Sequence, residues 1–189
     1  MVKSSNEPGA GKALRRRTLL RAGAATAMTQ GLATAGFVRT AKAGEARRIR
    51  IKRKVTGETF DVTYWTDGYD ERALRRFSSF TRDVRTNERI SMDPLLLDYL
   101  YALKVETEND GFELLSGYRS ASSNEKLRKR NPAVAENSFH ILGKALDIRL
   151  PGTHLARLYA AAQDLGFGGI GYYPKSNFIH IDTGYWRRW

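Results

Sequence analysis

The stretch SFHILGKALDIRL, residues 138–150, places a histidine and an aspartate inside an otherwise apolar segment. Its second half, Ala145 to Leu150, alternates in the manner of a β-strand, so that Asp147 points away from the face that carries Leu146 and Ile148. The apolar face is expected to pack against the core. Any fold for this chain therefore has to bury one face of this strand and find a partner for the carboxylate on the other.

A second stretch, FIHID at residues 178–182, shows the same alternation. Its two isoleucines share one face, and His180 lies on the other. If the two strands pair, Asp147 and His180 converge on the same face of the sheet. A turn at Gly143 would then fold His140 back over Asp147.

Two imidazoles and one carboxylate form the ligand set of a catalytic zinc site, which keeps its fourth position for water. The chain contains no cysteine, which excludes a disulfide framework, a thiol nucleophile and a thiolate metal site. The residues alone leave two interpretations open. The polar side chains either satisfy one another in the core or share one metal ion.

The predicted elements mix strands and helices without a regular βαβ alternation, which favours an α+β fold with a small antiparallel sheet flanked by helices. RRIRIKRKV and ETFDVTYW alternate apolar with polar residues on either side of Thr56-Gly57 and predict a β-hairpin. Further strands are predicted at GFELLSGYRS, GGIGYYP and NFIHIDTG. Helices are predicted at Asp70–Asp83, from Asp93 and Pro94 onwards, after a cap at Ser122 or Ser123, and at Thr153–Phe167 with Gly166 as the stop.

The first 43 residues are predicted to be an export signal that precedes a single domain at residues 44–189. A basic cluster is followed by a weakly apolar stretch, and Ala41-Lys42-Ala43 has the small-x-small form of a cleavage site. Arg16-Arg17-Thr18-Leu19-Leu20-Arg21 resembles the twin-arginine export motif. We therefore expect the export machinery to deliver a mature chain, beginning at Gly44, to the bacterial periplasm without a stable membrane anchor. The alternative is a basic, disordered N-terminus that stays in the cytoplasm.

The net charge of +12 by itself would suggest nucleic-acid binding. The distribution of the charge along the chain weakens this interpretation. Residues 1–43 hold eight of the 32 basic and one of the 20 acidic residues, so residues 44–189 carry 24 basic against 19 acidic side chains, a net charge of +5. A modestly basic domain suits an anionic surface such as a cell wall, and no nucleic-acid partner is expected.

Three ordered motifs, SGYRS, SFHILGKALD and IHID, resemble those of the zinc D-alanyl-D-alanine peptidases, the superfamily that includes lysostaphin-type enzymes and hedgehog domains. The segment GYYPKSNFIHIDTG and the leader are most similar to the murein endopeptidase K (YcbK-like) group. The resemblance covers roughly residues 44–189 and implies a hedgehog/D-Ala-D-Ala peptidase-like fold.

The resemblance implies a zinc metallopeptidase of the murein DD-endopeptidase type. It makes His140, Asp147 and His180 the ligands of one zinc ion per chain, and Arg119 the residue that stabilises the transition state. The implied substrates are peptidoglycan peptide stems, cut at D-alanyl–diaminopimelate bonds, with diaminopimelate–diaminopimelate bonds as a further substrate. The alternatives are a D-Ala-D-Ala carboxypeptidase and a non-catalytic module that binds the cell wall.

The chain departs from the family pattern at Asn177. Many relatives place an acidic general base there, three residues before the last histidine, and an amide cannot accept the proton. Asp182 is the local substitute, because it lies two strand positions from His180. It acts either as the base or as a partner that orients His180. Arg119 also has a simpler interpretation, as a surface arginine that pairs with Glu125.

Overall fold

The computed structural model describes residues 45–132 and 134–189. The export signal expected at residues 1–43 lies outside the described residues. The described elements are the strands β1 (Arg47–Arg53), β2 (Thr59–Trp65), β3 (Gly111–Ser116), β4 (Ala145–Arg149), β5 (Gly169–Tyr173), β6 (Phe178–Asp182) and β7 (Arg187–Arg188), and the helices α1 (Glu71–Phe80), α2 (Leu95–Thr107), α3 (Ala121–Arg130) and α4 (Leu155–Leu165).

The predicted α+β class is confirmed, but the sheet is larger than expected and is not purely antiparallel. Seven strands form one sheet in the order β2-β1-β3-β4-β6-β5-β7. The pairs β1–β3 and β5–β7 are parallel, and the other pairs are antiparallel. The reason is connectivity: β2 reverses the direction of β1, and the chain then passes through α1 and α2 and enters β3 on the open side of β1, running in the same direction as β1.

The predicted hairpin is confirmed, because β1 pairs with β2 through the turn that contains Gly57. Ile49 and Ile51 are fully buried, whereas Arg48, Arg50 and Lys52, which alternate with them, are exposed. Burying a side chain of this size contributes about 1.5–3 kcal/mol. This alternation fixes which face of the sheet receives the helices.

Three helix boundaries show how local chemistry sets the helices. Asp70 caps α1, accepting the backbone N–H of Arg72 at 2.7 Å. Gly166 ends α4 in the left-handed conformation, as predicted. The predicted caps of α3 are wrong: Ser120 is the cap, because its extended backbone lets its side chain accept the N–H of Ser123.

The core lies between the sheet and α2, whose residues 96–103 are all buried. Tyr99 is among them, and its ring stacks on Phe167 with a centroid separation of 5.0 Å. Among the described residues, no helix combines the length and the apolar character needed to span a bilayer.

Candidate metal centre

The adjacent strands β4 and β6 build the floor of the site. They pair antiparallel with Asp147 directly opposite His180 and with Ile148 opposite Ile179. The isoleucines are fully buried in the core, so the aspartate and the histidine project from the other face. The convergence predicted from the alternation of the two strands is therefore what the structure has.

His140 reaches the same point from the turn before β4. Gly143 has a φ of 67° in this turn, and a Cβ there would lie 2.9 Å from the Ser91 carbonyl oxygen. Only glycine fits this combination of conformation and close approach. The backbone carbonyl of His140 also accepts the N–H of Arg119 at 3.2 Å, which ties the turn to the segment after β3.

The three side chains bring one ligand atom each to a common point. His140 Nε2 lies 3.2 Å from both Asp147 Oδ1 and His180 Nδ1, and His180 Nδ1 lies 3.0 Å from Asp147 Oδ1. Two ligands bound tetrahedrally to zinc at about 2.0–2.1 Å are about 3.3 Å apart. The separations of the donor atoms therefore match those of a single first-row metal ion.

Hydrogen bonds on the outer side of each ring fix the tautomers. His140 Nδ1 lies 2.7 Å from the Gly117 carbonyl, which can only accept, and His180 Nε2 lies 3.0 Å from Asp182 Oδ2. A neutral imidazole has one N–H, so both rings donate outward and turn a lone pair inward. With both rings neutral, three electron-rich atoms face one another, and a cation relieves that repulsion. A proton can bridge only one pair of these atoms, whereas a divalent metal ion can bind all three. Burial would lower the pKa of His180, but its hydrogen bonds with Asp147 and Asp182 raise it, so the site favours a positive charge at this point.

The charges of the ligands suit a metal ion. Burial would raise the pKa of Asp147, but the neighbouring imidazoles outweigh it and hold the pKa well below the usual range. Burial lowers the pKa of His140, which keeps that ring neutral and its lone pair available. The site therefore offers an anionic oxygen and a neutral nitrogen, both of which are common metal ligands.

Arg119 lies beside the centre and is not a surface residue. It is 9% exposed, its Nη2 is 3.7 Å from Asp147 Oδ2, and its Nη1 donates to Asn124 Oδ1 at 3.2 Å. The alternative pairing with Glu125 is not observed, because Glu125 pairs with Lys129 at 2.8 Å. Burial lowers the pKa of Arg119, but a guanidinium remains charged at neutral pH.

Asp182 lies on the far side of His180 from the three ligand atoms. It is fully buried, and its oxygens accept hydrogen bonds from His180, Arg187 and the backbone of Gly169 and Gly184. Burial would raise the pKa of Asp182, but these bonds, led by that of His180, lower it. Asn177 is exposed and has a φ of 53°, a left-handed conformation that favours asparagine.

Two residues of β7 and its continuation, which sequence reasoning did not place at the site, contact this cluster. Arg187 pairs with Asp182, and the Trp189 ring lies 5.3 Å from the His180 ring. The alternation of side chains along a strand predicts that residues 187 and 189 lie on the same face. It does not predict that this face lies against the site.

The α+β fold and the His-Asp-His cluster, which could hold a metal ion, are of the kind found in metal-dependent hydrolases. Residues 41–189 match the M15 peptidase family described as peptidoglycan L,D-endopeptidase MepK, and the chain belongs to this family. The suspected relationship to the murein endopeptidase K group is therefore confirmed, and so is the prediction of a peptidoglycan endopeptidase.

Individual relatives agree with the family match. The chain is 38% identical over 176 residues to the peptidoglycan L,D-endopeptidase MepK of Escherichia coli K12, covering 92% of this chain and 96% of the relative. It is 40% identical over 145 residues to the probable peptidoglycan L,D-endopeptidase MepK of Haemophilus influenzae, covering 76% of each chain. No solved structure shows significant similarity. These names describe L,D-endopeptidases and give no support to the expected DD-type specificity.

Proposed function

We propose that this chain is a zinc-dependent endopeptidase that cuts L,D cross-links of peptidoglycan, namely the bonds between two diaminopimelate residues. The convergence of His140, Asp147 and His180 on one point, with all three ligand atoms electron-rich, carries the metal part of this proposal. The names of the relatives favour the L,D bond over the D-alanyl–diaminopimelate bond.

His140, Asp147 and His180 would hold the zinc ion, which fits a set of two nitrogens and one carboxylate oxygen. When bound, zinc supplies Lewis acidity and lowers the pKa of its water to about 7. The Gly117 carbonyl keeps His140 in the tautomer with Nε2 free, and Asp182 does the same for Nδ1 of His180. Such outer partners orient the ligands and raise their basicity.

Arg119 stabilises negative charge that develops on the scissile carbonyl oxygen. Its guanidinium is held by Asn124 and Ser116 next to Asp147, so it is preorganised before the substrate arrives. Asp182 acts as the orienting partner of His180 rather than as the base, because both of its oxygens are occupied on the far side of that ring.

The proposal includes export, since peptidoglycan lies outside the cytoplasm. The Arg16-Arg17 motif directs the precursor to twin-arginine translocation, and cleavage after Ala43 releases the periplasmic chain. Replacing Arg16-Arg17 by Lys-Lys should leave the precursor in the cytoplasm. Unimpeded export of that variant would exclude the twin-arginine route.

The proposed activity is tested with two purified muropeptide dimers, one cross-linked between two diaminopimelates and one between D-alanine and diaminopimelate. The mature protein is incubated with each dimer, with and without a chelator, and the products are weighed by mass spectrometry. We expect zinc-dependent conversion of the first dimer to monomers. Preferential cleavage of the second dimer would indicate DD specificity. Loss of only a terminal D-alanine would indicate a carboxypeptidase. Binding to the wall without any cleavage would indicate a non-catalytic module.

A further inference from the structure

A basic cleft lies on the surface of α1, outside the metal centre. It has a volume of about 580 Å³, within the range of ligand sites, and Phe60 and Phe80 contribute its apolar part. Four arginines, Arg72, Arg75, Arg76 and Arg82, line it together with a single carboxylate, that of Glu58. Within the described part of the chain, neither Arg72 nor Arg76 has a carboxylate within ion-pair distance, and Arg75 has only Glu71 at 3.8 Å.

A buried guanidinium next to the cleft adds to this excess of positive charge. Arg53 is 2% exposed, and its Nε and Nη2 find no hydrogen-bond acceptor among the described residues. Its closest carboxylate, Glu58, lies 3.6 Å from Nε and is shared with Arg82. A buried charge without full compensation is destabilising, so an anion in the neighbouring cleft would offset part of this positive charge.

We propose that this cleft, defined by Arg72, Arg75, Arg76 and Arg82, is a second binding site that takes carboxylate groups of peptidoglycan stems. The inference rests on the proposed function, because it assumes that the chain meets a polymer rich in carboxylates. Guanidinium groups bind carboxylates through charge-assisted, often bidentate hydrogen bonds. The site retains the enzyme on the wall, while the metal centre cuts.

The cleft and the metal centre share one segment of chain. Phe80 and Arg82 line the cleft. Between them, Thr81 accepts the N–H of Tyr118 at 2.8 Å, and Asp83 accepts that of Ser120 at 2.9 Å. Arg119 therefore lies in a loop that is hydrogen-bonded to the chain neighbours of residues lining the cleft.

The test measures binding of the mature holoenzyme to purified sacculi in short sedimentation assays at low temperature. The variant Arg72→Glu/Arg76→Glu reverses two exposed charges of the cleft. The control Arg130→Glu/Arg157→Glu makes the same change in net charge at two exposed residues that do not line it. We expect roughly 10-fold weaker binding for the cleft variant, about 1.4 kcal/mol from two ion pairs, and little change for the control. Amidating the carboxylates of the sacculi should weaken wild-type binding to the same extent.

An equal loss of affinity for sacculi in both variants would mean that only the net charge matters, and this would overturn the proposal. Wild-type affinity in the cleft variant would also overturn it. Undiminished binding to amidated sacculi, with the cleft variant instead losing affinity for phosphatidylglycerol vesicles, would point to a membrane rather than the wall. Binding does not require hydrolysis. An inactive protein that still binds through the cleft would therefore contradict only the proposed enzyme function.

A different observation concerns Arg187, which stands behind Asp182. Its two terminal nitrogens donate to the two carboxylate oxygens of Asp182 at 3.1 and 2.6 Å. The guanidinium carbon lies 4.8 Å from the Phe139 and Tyr185 rings and 5.0 Å from that of Trp189. The bidentate pairing with Asp182 and the contacts with three aromatic rings hold the Arg187 side chain in a single position.

The surrounding backbone is shaped around this pair. A Cβ at Gly169 would lie 2.2 Å from Arg187 Nη1 and 2.4 Å from Asp182 Oδ2, and one at Gly184 would lie 2.9 Å from Asp182 Oδ1. The backbone N–H groups of both glycines donate to Asp182. The Asp182 carboxylate is thus enclosed by Gly169, Gly184 and Arg187, whereas the Arg187 side chain itself is 25% exposed.

The geometry points to Arg187 as a positioning residue of the metal centre, acting through Asp182 on His180. This inference rests on the proposed centre. By fixing the carboxylate, Arg187 fixes the ring that turns Nδ1 toward the metal. Partners beyond the ligands typically contribute 10–100-fold in metal affinity.

The test is zinc affinity, measured by competition with a chromophoric chelator. We expect Arg187→Met to weaken zinc binding about 10-fold or more, and Arg187→Lys to recover only part of the loss because an ammonium cannot pair in bidentate fashion. Arg188→Met, at the exposed next residue of β7, is the matched control and should bind zinc like the wild type. In a protein that already carries Asp182→Asn, Arg187→Met should weaken zinc binding by less than a further factor of about 2 if Arg187 acts through Asp182.

Wild-type affinity in Arg187→Met, or an undiminished effect in the Asp182→Asn background, would overturn this inference. If Arg187→Met does not fold, Gly169→Ala tests the same pair, because its Cβ would part the two side chains. A wild-type protein that binds no zinc would instead refute the proposed centre.

Discussion

Asp98 and Asp147 are carboxylates with little exposed surface, 8% and 13% of their side chains, but they are partnered in opposite ways. Asp98, on α2, accepts Arg47 Nη1 at 2.8 Å, the Tyr64 hydroxyl at 2.9 Å and the Tyr69 hydroxyl. Each partner is a donor, so the network around Asp98 is closed. The Asp98 cluster is a satisfied structural site.

Asp147 faces ring nitrogens whose N–H groups are already used elsewhere. His140 donates to the Gly117 carbonyl and His180 to Asp182, which leaves lone pairs directed at the carboxylate. The exposed fractions of the two side chains differ too little to separate the two sites. The balance of donors and acceptors separates a structural carboxylate from one placed to bind a cation.

The largest effect should follow from Asp147→Ala. Without the anionic carboxylate, zinc affinity should fall by more than about 100-fold. Removing a residue that only supports a ligand from behind lowers metal affinity by up to about 100-fold, and a ligand itself should matter more. Turnover should be lost together with zinc. His140→Ala and His180→Ala should behave alike. Zinc content by elemental analysis and turnover of the cross-linked dimer check this. A variant with about one zinc per chain and full activity would remove its residue from the ligand set.

Arg119→Ala should keep zinc but lower turnover by about 10²–10³-fold, the usual effect of removing one stabiliser of a developing oxyanion. Arg119→Lys should recover little, because an ammonium lacks the planar, bidentate geometry. Arg47→Ala, at the arginine of the Asp98 cluster, is the comparison and should lower stability without reducing turnover per folded molecule. If Arg119→Ala changes only the melting temperature, its role is structural.

Asp98→Asn should lower the free energy of unfolding by about 2–3 kcal/mol, because three donors lose a charged acceptor. Zinc content should not change. Chemical denaturation with zinc present measures the loss, and Asp61→Asn is the control. Asp61 pairs with Arg48 at the surface, where such pairs contribute about 0–1 kcal/mol. Loss of zinc in Asp98→Asn would contradict the separation of the two clusters.

Asp182→Asn should weaken zinc affinity about 10–100-fold, because the amide holds His180 less firmly than the carboxylate does. Excess zinc should then restore most of the turnover. The measurement is turnover across a zinc titration. A loss that persists with the site filled would identify Asp182 as a proton acceptor and contradict its orienting role.

The smallest effect concerns alkaline pH and the Asp98 cluster. Burial and the neighbouring Asp98 raise the pKa of Tyr64 above its usual value, so the folded state keeps a proton that the unfolded chain loses near pH 10. Stability is therefore unaffected by this group below about pH 10 and falls above it, by up to about 1.4 kcal/mol per pH unit. Tyr64→Phe should flatten this fall in denaturation curves at pH 9 to 11. An unchanged slope would show that Tyr64 does not contribute.

The α+β class and the convergence of Asp147 with His180 could be predicted from the sequence because both follow from short-range patterns. The period of two in β4 and β6 puts Asp147 and His180 on the non-core face, and their pairing brings them opposite each other. Gly143 marks the turn that returns His140. The parallel pairing of β1 with β3 was missed, because the path of a crossover is not encoded by the strand itself.

The sequence by itself determined the two strand faces, the three polar side chains that converge between them and the family. Only the tertiary structure decided what stands behind those side chains. The Gly117 carbonyl that fixes His140 lies 23 residues away in sequence, and Arg187, the partner of Asp182, lies on a strand that joins the sheet beside β5. The physical reason is range: side-chain alternation repeats every two residues, whereas a hydrogen bond between distant segments exists only once packing has placed donor and acceptor together.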